Sequence, residues 1–397
     1  MRRIYMDANA TTPLLSEVFE AMRPFWMEHY GNASSIHQQG QQARGAVEQA
    51  RGSVARFLRC LNSEIVFTSG GTESDNLALF GVLSSETAEP AHLITTTIEH
   101  HAVLHAAESL AKNKVEVTFL ECTPQGLIEP AALKAAIRPH TKLVSIMFAN
   151  NETGVIQPIA ELAAIAHAAG ALFHTDAVQA SGKLPLDLSA EGPLKHVDLL
   201  TLSGHKIYAP KGIGVLFVRR NVRLAPMLHG GTHERQRRAG TENVACIVGL
   251  GKALELASTW LASDAPDKLA ALRDRFEQGI LSQIDETGVN GGGAPRVSNT
   301  SNLYFNHLEA EALVIALDLK GLSVSGGSAC QSGAAEPSHV LTAMGLSPAR
   351  ARASIRFSLS RLTTDEEVDE ALKLIPSAVA RLRELSPTWS RRESVTV

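Results

Sequence analysis

From about residue 64 onward, short apolar runs alternate with longer stretches in which apolar residues recur every three or four positions. EIVFT, HLITTTI, VEVTFL, KLVSIMFA, ALFHTDA, VDLLTL and GVLFV have the length and β-branched content of strands. Between them the spacing predicts helices: one from Thr72, one through His105 to Lys112, and one in PIAELAAIAHAAG, closed by Gly170. Strand and helix taking turns is the signature of crossover units in a mostly parallel sheet, hence an α/β core. Around 246–285 the pattern turns helical, and past the glycine-rich NGGGAP at 290–295 shorter strands such as SNLYF and SIRFSL stand among helices, a smaller α+β region. The expected division is a large α/β domain over 15–255 and a small α+β domain made from 1–14 and 256–397, with a long helix near 246–283 linking them. No internal repeat or low-complexity tract interrupts this order.

Composition narrows the function. The chain has 397 residues, 44% hydrophobic and 20% charged, with a net charge of -4. That balance argues against direct nucleic-acid binding and against a membrane-surface role, and leaves a small molecule or another protein as the partner. The N-terminal MRRIYMDANATTP has no apolar stretch of signal-peptide length, and no run of eighteen apolar residues occurs, so a cytoplasmic protein is expected. Cys60, Cys122, Cys246 and Cys330 show no CxxC pairing, which indicates neither a disulfide framework nor a cysteine zinc site and leaves room for a working thiol.

In open parallel sheets ligands gather at the carboxyl ends of the strands. Here those ends read SGGTESDN, EHHAV, NNETG, DAVQ and SGHK, all polar. Ser69, Gly70, Gly71 and Thr72 lead into a helix, where free N–H groups and close backbone approach suit a phosphate. The plainer reading is a capped helix, with Thr72 as cap and Asp75 three residues on. Asp176 follows an apolar run, so its carboxylate is expected to be part-buried and in need of a cation or strong donor. A pyridinium nitrogen is one such partner, since pyridoxal phosphate enzymes pair it with an Asp while a lysine amine forms the Schiff base. Lys206, in SGHKIYAPKG, would supply that amine, with Ser203 and His205 as donors to the phosphate. A flat imidazole over the ring is offered equally by His100 and His101. Each motif is weak alone; at successive ends of one sheet they make a coherent site.

These residues fall in longer stretches: DANATTP, GNASSIH, FTSGGTESDNLA, EHHAVL, NNETGVIQP, HTDAVQ, SGHKIYAPKGIGVLFVRR, GGTHERQRRAGTEN, SGGSACQSGAAEPSHVL and SIRFSLSRLTT. With them the chain resembles, nearly end to end, the cysteine desulfurases of the NifS/IscS type, in the class V aminotransferase group of fold-type I pyridoxal phosphate enzymes. The resemblance implies a large domain with a mostly parallel seven-stranded sheet plus the smaller α+β domain, and pyridoxal 5'-phosphate as cofactor. It implies Lys206 as the Schiff-base lysine, Asp176 on the ring nitrogen, His100 stacked on the ring and active in catalysis, and Gln179 on the phenolic oxygen. Gly71, Thr72, Ser203 and His205 would hold the phosphate, joined by Thr241 from the opposite subunit of a homodimer. Asn151, beside the cofactor, and Arg356 would bind the substrate carboxylate, the alternative for Arg356 being a surface arginine on an alternating strand.

The implied nucleophile is Cys330, in SVSGGSACQSGAAEP, whose small residues and three glycines read as an exposed loop. The implied reaction converts L-cysteine to L-alanine and leaves the sulfur on Cys330 as a persulfide. A sulfur-acceptor protein such as an iron–sulfur scaffold would follow, feeding iron–sulfur cluster, other thio-cofactor or tRNA biosynthesis. No resident metal is implied, Cys330 serving at most as a transient iron–sulfur ligand.

Overall fold

Seven of the apolar runs become neighbours in one sheet. The computed structural model describes residues 3–83, 91–326, 337–387 and 389. In chain order the strands are β1 (Ile65–Thr68), β2 (His92–Thr96), β3 (Glu116–Leu120), β4 (Thr141–Ser145), β5 (Leu172–Asp176), β6 (Leu199–Ser203) and β7 (Gly214–Val218). They stand in the order β1-β7-β6-β5-β4-β2-β3. All pairings are parallel except those of β7, which runs antiparallel to both β1 and β6.

Both faces of the sheet are covered, which is why its central strands read as unbroken apolar runs. Phe67, Ile94, Val144, Phe173, Leu200 and Phe217 point into one core layer. Their sequence neighbours Val66, Leu93, Leu143, Leu199, Leu216 and Val218 point into the other. The two-residue alternation of a strand thus places every second side chain on each face. Helices α1 (Gln38–Leu58), α2 (Gly71–Leu83), α3 (His101–Lys112) and α4 (Ile159–Ala168) contribute to these layers. The α4 stop is the expected one: Gly170 has φ +77°, and its N–H donates to His167 O at 2.9 Å.

The predicted long helix over 246–283 is two helices, α5 (Val244–Leu261) and α6 (Ala265–Gln283). Pro266 lies in the first turn of α6, where its missing N–H costs nothing, but it could not continue α5. By length and composition α5 could cross a membrane, yet more than half of it is buried within the protein. A second, antiparallel sheet contains β8 (Thr287–Val289), β9 (Thr300–Phe305), β10 (Ser325–Gly326) and β11 (Ser354–Ser358), in the order β10-β11-β9-β8. Phe276 of α6, Phe305 and Phe357 meet in its core, and Ile4 and Met6 from the N-terminus belong to the same cluster.

Candidate active site

Five strand ends of the large sheet open on one cavity of about 370 Å³. Gly71, Thr72, His100, Asn151, Asp176, Gln179, Ser203, His205, Lys206 and Arg356 all line it. Thr241 is exposed and is not among the lining residues. Cys330 lies outside the described residues.

The antiparallel return of β7 positions the lysine. Ser203 pairs with Gly214, so residues 204–213 must reverse direction at the carboxyl edge of the sheet. Lys206 ends the short 3₁₀ turn Gly204–Lys206 that begins this reversal. Its Nζ donates to the main-chain oxygens of Asn9 (2.5 Å) and Ala10 (2.7 Å), so the N-terminal segment holds the amine over the cavity. Asp176 ends β5, one strand away, and is 6% exposed. Its Oδ1 accepts from the Val178 N–H at 2.8 Å. Burial pushes this carboxyl up to about 6, against the opposing pull of the Val178 N–H and the Lys206 charge.

The anion corner is built where α2 starts. A Cβ on Gly71 would lie 3.0 Å from Val178 Cγ2, tight enough that Val178 would have to give way by a few tenths of an ångström, and 3.5 Å from Ser203 Cβ, an ordinary contact. His205 Nδ1 pairs with Thr11 Oγ1 at 3.2 Å, and burial, then Lys206 and Lys211, lower its pKa to about 4. The plainer alternative, Thr72 as a cap with Asp75 three residues on, does not hold, because the helix starts at Gly71 and Thr72 lies inside it. Glu73 Oε2 instead accepts from the Ser69 N–H at 2.7 Å, and Arg238 pairs with Glu73 at 2.8 Å. Asp75 faces the cavity, 1% exposed, with Oδ1 lacking a hydrogen-bond partner and 3.6 Å from His174 Nε2. Burial, then the Asp176 charge, raises its pKa well above the carboxylate range. Its sequence signal was its place four residues after Gly71, on the same helix face.

His100 caps α3: its Nδ1 accepts from the Ala102 N–H at 3.1 Å, which leaves the neutral ring's proton on Nε2. Burial, then Lys206 and the neighbouring histidines, lowers its pKa to about 4. His101 also lines the cavity, packed against His105 and His339 with ring centroids 4.9 and 4.7 Å apart.

Arg356 rises from β11 on the opposite wall, 2% exposed. The guanidinium is already engaged: Nη2 donates to Asp7 Oδ1 at 2.8 Å and Nη1 to Asn151 O at 3.1 Å. A buried cation requires such a counter-charge, and Asp7 is one that the sequence reading did not single out. Arg356 Nε, Asn151 Oδ1 and Glu152 Oε1 have no hydrogen-bond partner, so this wall presents one unsatisfied donor and two unsatisfied acceptors. Both ends of the stretch containing Cys330 leave from the same wall. Ser325 Oγ donates to Asp7 Oδ2 (3.2 Å) before it, and Ser338 Oγ to Glu152 Oε2 (2.6 Å) after it. The other thiols are disfavoured as nucleophiles, because burial pushes Cys60 up to about 12, Cys122 up to about 11, and Cys246 upward.

The donor set fits pyridoxal phosphate: N–H groups and hydroxyls for an anion, a buried carboxylate for a ring nitrogen, an amine for an aldehyde, and a neutral imidazole with an apolar face. Comparison with known proteins gives the same direction. The aminotransferase class-V family model matches residues 4–371. A relative from Trichormus variabilis named cysteine desulfurase 2 is 51% identical, over 98% of this chain and 96% of its own. A solved NifS-like protein superposes with a TM-score of 0.88 at 36% identity, over 96% of this chain and 100% of that one. Another, described as SspA in complex with cysteine, gives 0.80 at 38% identity, over 91% and 100%. This chain therefore belongs to the aminotransferase class-V family, among its cysteine desulfurases.

Proposed function

We propose that the protein is a pyridoxal 5'-phosphate-dependent cysteine desulfurase that converts L-cysteine to L-alanine and takes the sulfur onto Cys330 as a persulfide. The observation that carries this reading is one cavity with the Lys206 amine and Asp176 carboxylate on one wall and, on the other, Arg356 and both tethers of the Cys330 stretch. Gly71, Thr72, Ser203 and His205 would hold the phosphate, Asp176 the ring nitrogen and Gln179 the ring oxygen, and His100 would offer its imidazole to the ring. When bound, pyridoxal phosphate supplies an aldehyde for an amine and a ring that draws electrons away from the substrate Cα.

The chain's own groups then act in order. Arg356 and Asn151 hold the substrate carboxylate, Arg356 through charge-assisted hydrogen bonds. The Lys206 amine takes the α-proton. The Cys330 thiolate attacks the substrate sulfur: the new S–S bond forms, the Cβ–S bond breaks, and its electron pair stays with carbon, which is protonated. Cysteine plus one protein thiol thus gives alanine plus one persulfide. The persulfide passes to an acceptor protein such as an iron–sulfur scaffold.

The protein acts as a homodimer in which Thr241 serves the neighbouring site, a reading supported by its exposure away from its own cavity. The large domain spans 15–255 and the small one 1–14 with 256–397, supported by Ile4 and Met6 packing in the core of the second sheet. A cytoplasmic setting, where thiols stay reduced, suits the three unpaired cysteines among the described residues. The test is Cys330→Ala: it should bind the cofactor with an unchanged visible spectrum yet release no alanine from cysteine with reductant present. Normal turnover would refute the assignment. Lys206→Ala should lose the visible absorption of the lysine-bound cofactor, and an unchanged spectrum would put the attachment elsewhere.

A further inference from the structure

Lys183 is a second amine at the site, and the proposed chemistry gives it no role. Its Nζ donates to Gln179 Oε1 (3.0 Å) and to the Gln179 main-chain oxygen (3.0 Å). No carboxylate forms an ion pair with it among the described residues, and burial, followed by the charges of Lys206, Arg361 and Arg356, lowers its pKa to about 7. It shares a chamber of about 20 Å³ with Lys206 and Arg361, a space for about one water molecule. Gln179 Nε2 donates in turn to Asn9 O at 3.1 Å, the carbonyl that also receives the Lys206 amine.

The two ends of an amide differ only in what they can donate and accept. The Asn9 carbonyl can only accept, so it holds the Nε2 end whatever the proton count of Lys183, and the Lys183 ammonium, which only donates, holds the Oε1 end. Turned the other way, Gln179 would set N–H groups against the Lys183 ammonium and an oxygen against the Asn9 carbonyl, losing both bonds at once. The second Nε2–H is the group Gln179 has left for the cavity it lines.

We propose that Lys183 is a positioning residue that locks the Gln179 amide with its donor end toward the cavity, so that Gln179 meets the cofactor's ring oxygen as a donor, and that steadies the Asn9 carbonyl holding Lys206. This rests on the pyridoxal phosphate reading above. The experiment is titration of the cofactor-free, full-length protein with pyridoxal phosphate, followed by tryptophan fluorescence and visible absorption. Lys183→Met should bind about tenfold more weakly, the effect of losing one well-placed hydrogen bond, with a shifted visible band. Gln179→Ala should show a similar loss, and the double variant should be no weaker than Gln179→Ala alone. Lys183→Arg, which keeps the donor, should recover most of the affinity. Gln179→Glu keeps an acceptor for Lys183 but loses the N–H groups to Asn9 and to the cavity, so it should melt somewhat lower than wild type and bind about tenfold more weakly. This variant decides the matter should Lys183→Met fail to fold. Wild-type affinity in Lys183→Met or in Gln179→Glu, or a Lys183→Met loss repeated in full in the Gln179→Ala background, would overturn the proposal. Wild-type protein that takes up no pyridoxal phosphate would overturn the functional reading itself.

Discussion

Asp7→Asn asks whether the substrate carboxylate competes with a resident counter-charge. In the free protein the Arg356 guanidinium pairs with Asp7 at 2.8 Å, and the two side chains are 3% and 16% exposed. So little water reaches the pair that solvent screening does not erase it, and losing one partner of such a desolvated pair costs about 2–5 kcal/mol. Asparagine keeps the shape and one acceptor oxygen and loses only the charge, so the lower end, about 2 kcal/mol, applies. The variant should therefore melt a few degrees lower without ligand. The incoming carboxylate of cysteine would then take the place of the Asp7 charge beside Arg356 and should regain most of that energy. A gain of about 1.4 kcal/mol is a tenfold tighter site, so KM for L-cysteine should fall about tenfold.

Initial rates over a range of cysteine concentrations measure this, together with thermal melts with and without L-alanine, which should raise the melting temperature of Asp7→Asn more than that of wild type. Two features complicate a simple outcome and sharpen it. Asp7 Oδ2 also accepts from Ser325 Oγ, next to the stretch that carries Cys330, so kcat reports on the tether separately from KM. The unsatisfied Arg356 Nε gives the carboxylate a place to bind even while Asp7 stays put. A raised KM with an unchanged melting temperature would refute the reasoning, for it would mean that Asp7 aims the guanidinium and does not neutralise it.

Glu99 provides a pH test. Burial lifts its carboxyl to about 8, while the unfolded chain releases that proton near the ordinary 4.5, so wild-type stability should fall as pH rises between these values. Glu99→Gln has no proton to lose, and the melting difference should move in its favour from pH 5 to 8; a gap that does not change would refute this. Glu234→Ala leaves the buried Arg51 with the half-exposed Glu48 as its counter-charge, since the lost pair at 2.8 Å is 5% and 4% exposed, and should cost about 3 kcal/mol in denaturant unfolding; a loss under 1 kcal/mol would count against a dry pair. Gly71→Ala would press a methyl against Val178 at the start of the helix that faces the anion corner, and should weaken pyridoxal phosphate uptake about tenfold with little change in melting. Equal uptake would place the anion elsewhere.

What was legible in the sequence follows from distance along the chain. Asp176 and Lys206 each follow an apolar run, and a parallel sheet brings all such ends to one side, so local pattern plus one topological rule assembles most of the cavity. Their supports come from far away. Asp7 meets Arg356 across 349 residues, and Asn9 meets Gln179 across 170. No local pattern carries that information, which is why Asp7, Asn9 and Lys183 went unremarked although a buried charge always demands a partner. Asp75 misleads for the opposite reason: its neighbourhood fits a cap, whereas Thr72 stands inside the helix and Asp75 lines the cavity, with Glu73, held by Arg238, taking the Ser69 N–H. Arg356 shows both limits at once. In SIRFS the alternation sets Ile355 and Phe357 into the core beneath the second sheet, and sends Arg356 to the other face. A two-residue period cannot say whether that other face meets water or another layer. Here it meets the cavity wall, where Asp7 and Asn151 already hold the guanidinium, and the alternation that argued for a surface arginine is what buries this one.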